Sequence, residues 1–126
     1  MKKNLLFLMV DQMHGQVLEK ENPCITPNLD KLARNGVKFQ RAHTPNPVCS
    51  PARASIMTGL LPHNHGVTTV THTVDADQSN LRTDKEHWAQ RLKEDGYKTA
   101  YFGKWHVERT NQLHNFGWDT YNYQDK

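Results

Sequence analysis

The sequence predicts an α/β fold, a mostly parallel sheet flanked by helices. Three observations carry this. Residues 5–10, LLFLMV, form an unbroken apolar run, as in a parallel strand covered on both faces. Twice a hydroxyl residue directly precedes Pro at the head of a helical pattern, at Thr26-Pro27 and Ser50-Pro51, which is the pairing of an N-cap with Pro at the first helical position. The order strand, helix, strand, helix, helix, strand is that of a layered domain whose ligands bind beyond the carboxyl ends of the strands.

Each element has its own warrant. After the first run, closed by Asp11, a polar loop leads through Asn22-Pro23. The helix from Pro27 places Leu29, Leu32 and Ala33 on one face, with Arg34 in the last turn and Gly36 as the stop. Val37, Phe39 and Arg41 alternate as in a short strand. Thr44-Pro45-Asn46-Pro47 cannot be helical, because each Pro biases the residue before it to extended geometry. A short helix over 51–58 follows, closed by Gly59, and residues 62–77 read as loop. Thr83-Asp84-Lys85-Glu86 has the form of a capping box. Behind it Trp88, Ala89 and Leu92 form an apolar face, with Leu81 as a staple and Gly96 as the end. Residues 99–102 are a second strand candidate, stopped by Gly103. Beyond Trp105 the chain is polar and aromatic, with a turn at Phe116-Gly117-Trp118.

Composition narrows the function classes. The 126 residues suffice for one domain with one modest core. A mean hydropathy of −0.84 is polar for a compact domain and hints at a core the chain does not cover alone. The net charge of +3 comes from scattered Lys and Arg, which argues against nucleic acid, since that partner needs a basic patch. A small anionic substrate is compatible with it. The run at 5–10 is too short for a signal peptide and far too short to span a membrane. The default location is therefore cytoplasmic, or periplasmic had a signal been removed. The two cysteines, Cys24 and Cys49, form no CxxC pair, although one bridge between them is compatible with the count.

Cys49-Ser50-Pro51-Ala52-Arg53 is the most informative stretch. A cysteine at a helix start gains from the dipole and from free backbone N–H groups, and the same place suits a tetrahedral oxyanion. Arg53, one turn on, reaches toward the same place. A buried structural cysteine beside a surface arginine is the alternative reading. Asp11 follows the first strand, and Lys104 and His106 follow the last, so with parallel, neighbouring strands these three and Cys49 can converge on one sheet edge. His63 and His65 have the spacing of a metal pair, but read better as structural loop residues. His14, His43, His72, His87 and His114 have no constellation around them. Trp105, Trp88, Leu92 and Tyr97 read as core.

Four segments resemble the sulfatase family. Residues 49–59, CSPARASIMTG, look like its signature, C-x-P-x-R followed by A-S-x-x-T-G. Residues 62–67, PHNHGV, resemble the continuation. Residues 26–32, TPNLDKL, and 103–106, GKWH, resemble two further family segments in the right order. The resemblance implies an alkaline-phosphatase-like sulfatase domain, of which residues 1–126 are the N-terminal part. It implies that Cys49 is oxidised to Cα-formylglycine by a maturation enzyme, and that the hydrated aldehyde attacks the sulfur of a small-molecule or carbohydrate sulfate ester. It implies Arg53, Lys104 and His106 as catalytic residues. Asp11, Gln12 and the Cys49-derived group become ligands of a divalent metal, calcium foremost, with magnesium or manganese as alternatives. Asp11-Gln12 departs from the paired aspartates common in the family and resembles the branch of choline sulfatases and phosphonate monoester hydrolases.

The family's later metal ligands, an Asp followed by Asn or His, are expected to be missing: Asp119-Thr120 and Asp125-Lys126 do not fit. The chain therefore reads as a fragment, weakly active or inactive alone, prone to self-association or to pairing with a missing C-terminal part. A phosphonate monoester or phosphodiester hydrolase and a noncatalytic truncated interaction module are the competing readings. A Cys/His zinc module is disfavoured, because its paired spacing is absent.

Overall fold

The computed structural model describes residues 2–124, and the Asp125-Lys126 pair lies outside them. The chain divides into two compact units, residues 1–42 and 43–126.

The first unit contains one helix, α1, Pro27–Asn35. Thr26 precedes it as expected, but its hydroxyl donates to Asp30 Oδ1 at 3.0 Å instead of capping the backbone. None of its residues is buried, so Leu29 and Leu32 do not form the expected core face. Residues 5–10 are not a strand: they have no regular structure, and Leu6 and Leu8 are 79% and 76% exposed. Val37 and Phe39 are likewise exposed and outside any strand. The physical reason is common to both segments. A strand exists only through ladder partners, and among the described residues the sheet consists of β1 and β2, both in the second unit. Lys38 fastens this unit locally, donating to the Leu18 carbonyl and to Glu19, each at 3.0 Å.

The second unit carries α2 (Cys49–Thr58), α3 (Pro62–His65), a 3-10 turn at Thr71–Thr73, α4 (Trp88–Glu94), β1 (Ala100–Lys104), a 3-10 turn at Leu113–Phe116, and β2 (Thr120–Gln124). Helix α2 starts two residues before the predicted position, and Pro51 falls in its first turn, where its missing N–H costs nothing. Gly59, at φ +70°, closes it with its N–H on the Ser55 carbonyl. Helix α4 begins after His87, not at the predicted box. Gln90, three residues into the helix, accepts the His87 N–H at 2.7 Å, a reach that Glu86 cannot provide. Glu86 instead pairs with Arg91 at 2.5 Å. The predicted stop at Gly96 holds: its N–H bonds Lys93, and the Tyr97 N–H bonds Leu92.

Strand β1 covers most of the predicted strand and continues through Gly103 to Lys104. Strand β2 lies where the sequence suggests only a polar, aromatic tail. The two are parallel, with Ala100 opposite Thr120 and Lys104 opposite Gln124. Tyr121 and Tyr123 turn to the core, which explains strand formation in a sequence with little apolar signal. A parallel pair needs a crossover, and residues 105–119 supply it. Its fit depends on Gly117, at φ +91°, where an added Cβ would lie 2.5 Å from the Gln90 nitrogen in α4. Trp105, Val107, Leu113, Phe116 and Trp118 from this crossover form the core with Ala54, Met57, Val67, Leu81 and Ala89. Edge-to-face contacts at 5.2 Å join Tyr101 to Trp105 and Trp88 to Trp118. Gly66, at φ +89°, sits where a Cβ would come within 2.2 Å of the Asn80 carbonyl, and the Arg82 N–H bonds the His65 carbonyl at 2.8 Å. No helix among the described residues is long and apolar enough to cross a membrane.

Candidate active site

Four predicted residues lie in the second unit: Cys49 and Arg53 on α2, and Lys104 and His106 at and beyond the end of β1, which Arg53 joins to α2. Cys49 is the first residue of that helix, a half-buried free thiol, while Cys24 in the first unit is free and exposed. The turn before it is built locally: Asn46 Oδ1 accepts the Val48 N–H at 3.0 Å, and Val48 is extended. Pro51 has no N–H, and the Ala52 N–H bonds the Val48 carbonyl, so Cys49 and Ser50 carry the first-turn N–H groups that lie outside the helical ladder.

Arg53, one turn along, is only 5% exposed, and its Nη1 donates to the Lys104 carbonyl at 2.6 Å. The Tyr101 hydroxyl donates to the same carbonyl at 2.5 Å. Helix α2 is thereby tied to the carboxyl end of β1. Past Lys104, Trp105 turns into the core, and its N–H bonds Gln124 at 3.3 Å. His106 follows with φ +48°, a left-handed conformation uncommon for a side-chain-bearing residue and often found at functional sites. The buried His106 ring stacks on His72, centroids 5.0 Å apart and planes 11° from parallel. His72 belongs to the 3-10 turn whose Thr71 donates its N–H to Ser50 Oγ, in the first turn of α2. The contacts close a circuit from α2 through Thr71–Thr73, His106 and Lys104 back to Arg53.

Asp11 and Gln12 belong to the first unit, both exposed, with Gln12 at φ +55°. A hard divalent cation takes six or more oxygen ligands. Among the described residues no group of three or more His, Cys, Asp or Glu is placed to hold a metal.

His65 is structural. Its Nδ1 accepts the Val67 N–H at 3.1 Å, so its Nε2 carries the proton and donates to Ser55 Oγ at 2.9 Å. Burial, and then the neighbouring His63, hold it below the ordinary histidine pKa, as a neutral ring requires. The depression lined by Gln90, Lys93, Glu94, His114, Asn115 and Gly117 contains none of the candidate residues. Two residues read as unremarkable prove otherwise: His72 lies against His106, and His87 is wholly buried against Phe116. Neither contact has a local sequence signal, because the partners are remote in the chain.

A family profile described as sulfatase matches residues 3–125. The chain is 38% identical over 118 residues to a choline-sulfatase of Rhizobium meliloti, covering 91% of this chain and 22% of that protein. It is 41% identical over 86 residues to human steryl-sulfatase, covering 65% and 15%. A solved structure from work on glycosaminoglycan metabolism by Bacteroides thetaiotaomicron superposes with a TM-score of 0.66 at 31% identity, covering 84% of this chain and 24% of that one. The chain thus spans about a fifth of the length of the curated relatives it matches. With a profile matched across nearly every residue and the signature cysteine at the head of a helix tied to the lysine–histidine segment, the chain belongs to the sulfatase family.

Proposed function

We propose that the chain is the nucleophile-bearing part of a sulfuric ester hydrolase, with Cys49 as the matured residue. The observation that carries this is the 2.6 Å bond from Arg53 to the Lys104 carbonyl, which holds the signature helix and the Lys104–His106 segment as one assembly. Matured to Cα-formylglycine, position 49 would supply a hydrated aldehyde as the nucleophile. A half-buried thiol at a helix start suits that conversion, because it is reachable yet held by its backbone. The first-turn N–H groups and the helix dipole favour an anion beside Cys49. Arg53 adds a permanent positive charge one turn away. Lys104 offsets charge growing on the sulfate oxygens, and His106 exchanges a proton with the nucleophile or the leaving alcohol.

Asp11 and Gln12 are proposed as two oxygen ligands of a divalent cation. The described residues do not complete such a site, and no step is assigned to the metal. The substrate is a sulfate monoester of a small molecule or sugar, by analogy with relatives named for choline, steryl and N-acetylgalactosamine-6-sulfate chemistry.

The test is maturation. Co-produced with a formylglycine-generating enzyme, the chain should lose the Cys49 sulfur, seen by intact mass, and should react with a hydrazide at that position. A thiol that persists at 49 beside a competent enzyme refutes the proposal and favours a noncatalytic module. Parallel assays of the complete protein on an aryl sulfate and the matching phosphonate ester then separate a sulfatase from a phosphonate hydrolase.

A further inference from the structure

The structure assigns Arg109 as a positioning residue that holds His72 against His106, an inference that rests on the sulfatase reading for its catalytic meaning. Arg109 is half-buried beyond the lysine–histidine segment, and its guanidinium reaches across to loop 71–80. Nη2 donates to the carbonyls of Thr71, Val74 and Asp75, the last two at 3.0 Å. Nη1 donates to the carbonyls of Ala76 and Gln78, at 3.4 and 3.3 Å, and to Asn80 Oδ1 at 2.8 Å. Six oxygens exceed the four hydrogens on the two terminal nitrogens, so some bonds are shared. All six acceptors lie in one loop and one donor plane serves them, which only a planar, permanently charged fork can do.

The geometry connects this clamp to the candidate site at two points. Thr71, whose carbonyl Arg109 takes, gives its N–H to Ser50 in the first turn of α2. His72, the next residue, stacks on His106. His106 is three residues before Arg109, so the same short segment carries the ring and the clamp that presses a second ring onto it. Without the clamp the loop's carbonyls would turn to water, and the exposed His72 would have no reason to stay parallel to its partner.

The experiment is NMR of the histidine rings in the chain, comparing wild type with Arg109→Lys and Arg109→Met. Wild type should show cross-peaks between the His72 and His106 rings and mutual ring-current shifts. Both variants should lose them, with Lys closer to wild type than Met. The His65 ring, fastened to Ser55 and Val67, should keep its wild-type shift and report an intact α2–α3 region. Cross-peaks that persist in both variants overturn the inference, as does their absence in wild type. Collapse of all three ring signals in both variants also overturns it, because Arg109 would then hold the fold and not one ring. These readouts need no turnover, so failed maturation of Cys49 would sink the sulfatase reading and leave this result standing. In the complete protein the same variants should lower kcat for an aryl sulfate about 10- to 100-fold with KM unchanged, the signature of misplaced rather than missing binding groups.

Discussion

His87 gives the most direct test of the fold's energetics. Its side chain is wholly buried, stacked on Phe116 at 4.5 Å, and neither ring nitrogen has a hydrogen-bond partner among the described residues. Burial, and then the nearby His65, lower its pKa from 6.5 to about 4. In the unfolded chain the ring takes up a proton near its ordinary pKa, while the folded chain resists until about 4. The unfolded state therefore binds more protons between those values, and stability falls as pH falls. The contribution is fully present above about pH 6.5 and lost by about pH 4, amounting to about 3 kcal/mol at about 1.4 kcal/mol per pH unit. The assay is urea denaturation at intervals from pH 7 to pH 4 for wild type and His87→Leu, an apolar replacement of similar volume. The wild-type stability should drop more steeply across this range, by about the stated amount. Equal slopes in the two proteins would show that His87 is not buried neutral in the folded state, and the reasoning would fail.

Two further outcomes are expected. Gly117→Ala should destabilise the second unit by about 1–3 kcal/mol, read from the denaturation midpoint, since the position combines a positive φ with a 2.5 Å approach to Gln90. A double change of Leu6→Lys and Leu8→Glu should reduce self-association measured by light scattering without altering the second unit's melting, because both side chains are exposed in the first unit.

The fold class and the family were legible in the sequence, and several individual elements were not. Local signals place Cys49 and Arg53 at a helix start and Lys104 and His106 after a strand, and the resemblance to the sulfatase family is what marks them as candidate site residues. Residues 5–10 misled because an apolar run states what a strand would bury, and not whether partners are there to pair with it. The capping box was misplaced by local composition: Thr83 and Glu86 have the right letters, yet Gln90 wins because it lies three residues past the true start. Strand β2 escaped because its burial rests on Tyr121 and Tyr123, which look polar in a sequence and act as apolar bodies in a sheet. His72, His87 and Arg109 were invisible for a different reason. Their partners lie far along the chain, and no window of sequence contains both members of such a pair. The family resemblance, by contrast, needed only short motifs, and the sulfatase profile extends across them all.

The approach of Gly66 to Asn80 has a consequence for what the chain can tolerate. The backbone leaves and re-enters at one neck, secured by Arg82 on His65, so the excursion over residues 67–79 is closed at its base whatever it contains. Lengthening such an excursion twofold costs only about 0.6 kcal/mol of chain entropy. Nearly all of Arg109's acceptors there are main-chain carbonyls, which every amino acid offers equally. A foreign stretch grafted beyond Thr73 would keep its hold on the neck while showing a new set of side chains beside an unaltered start of α2.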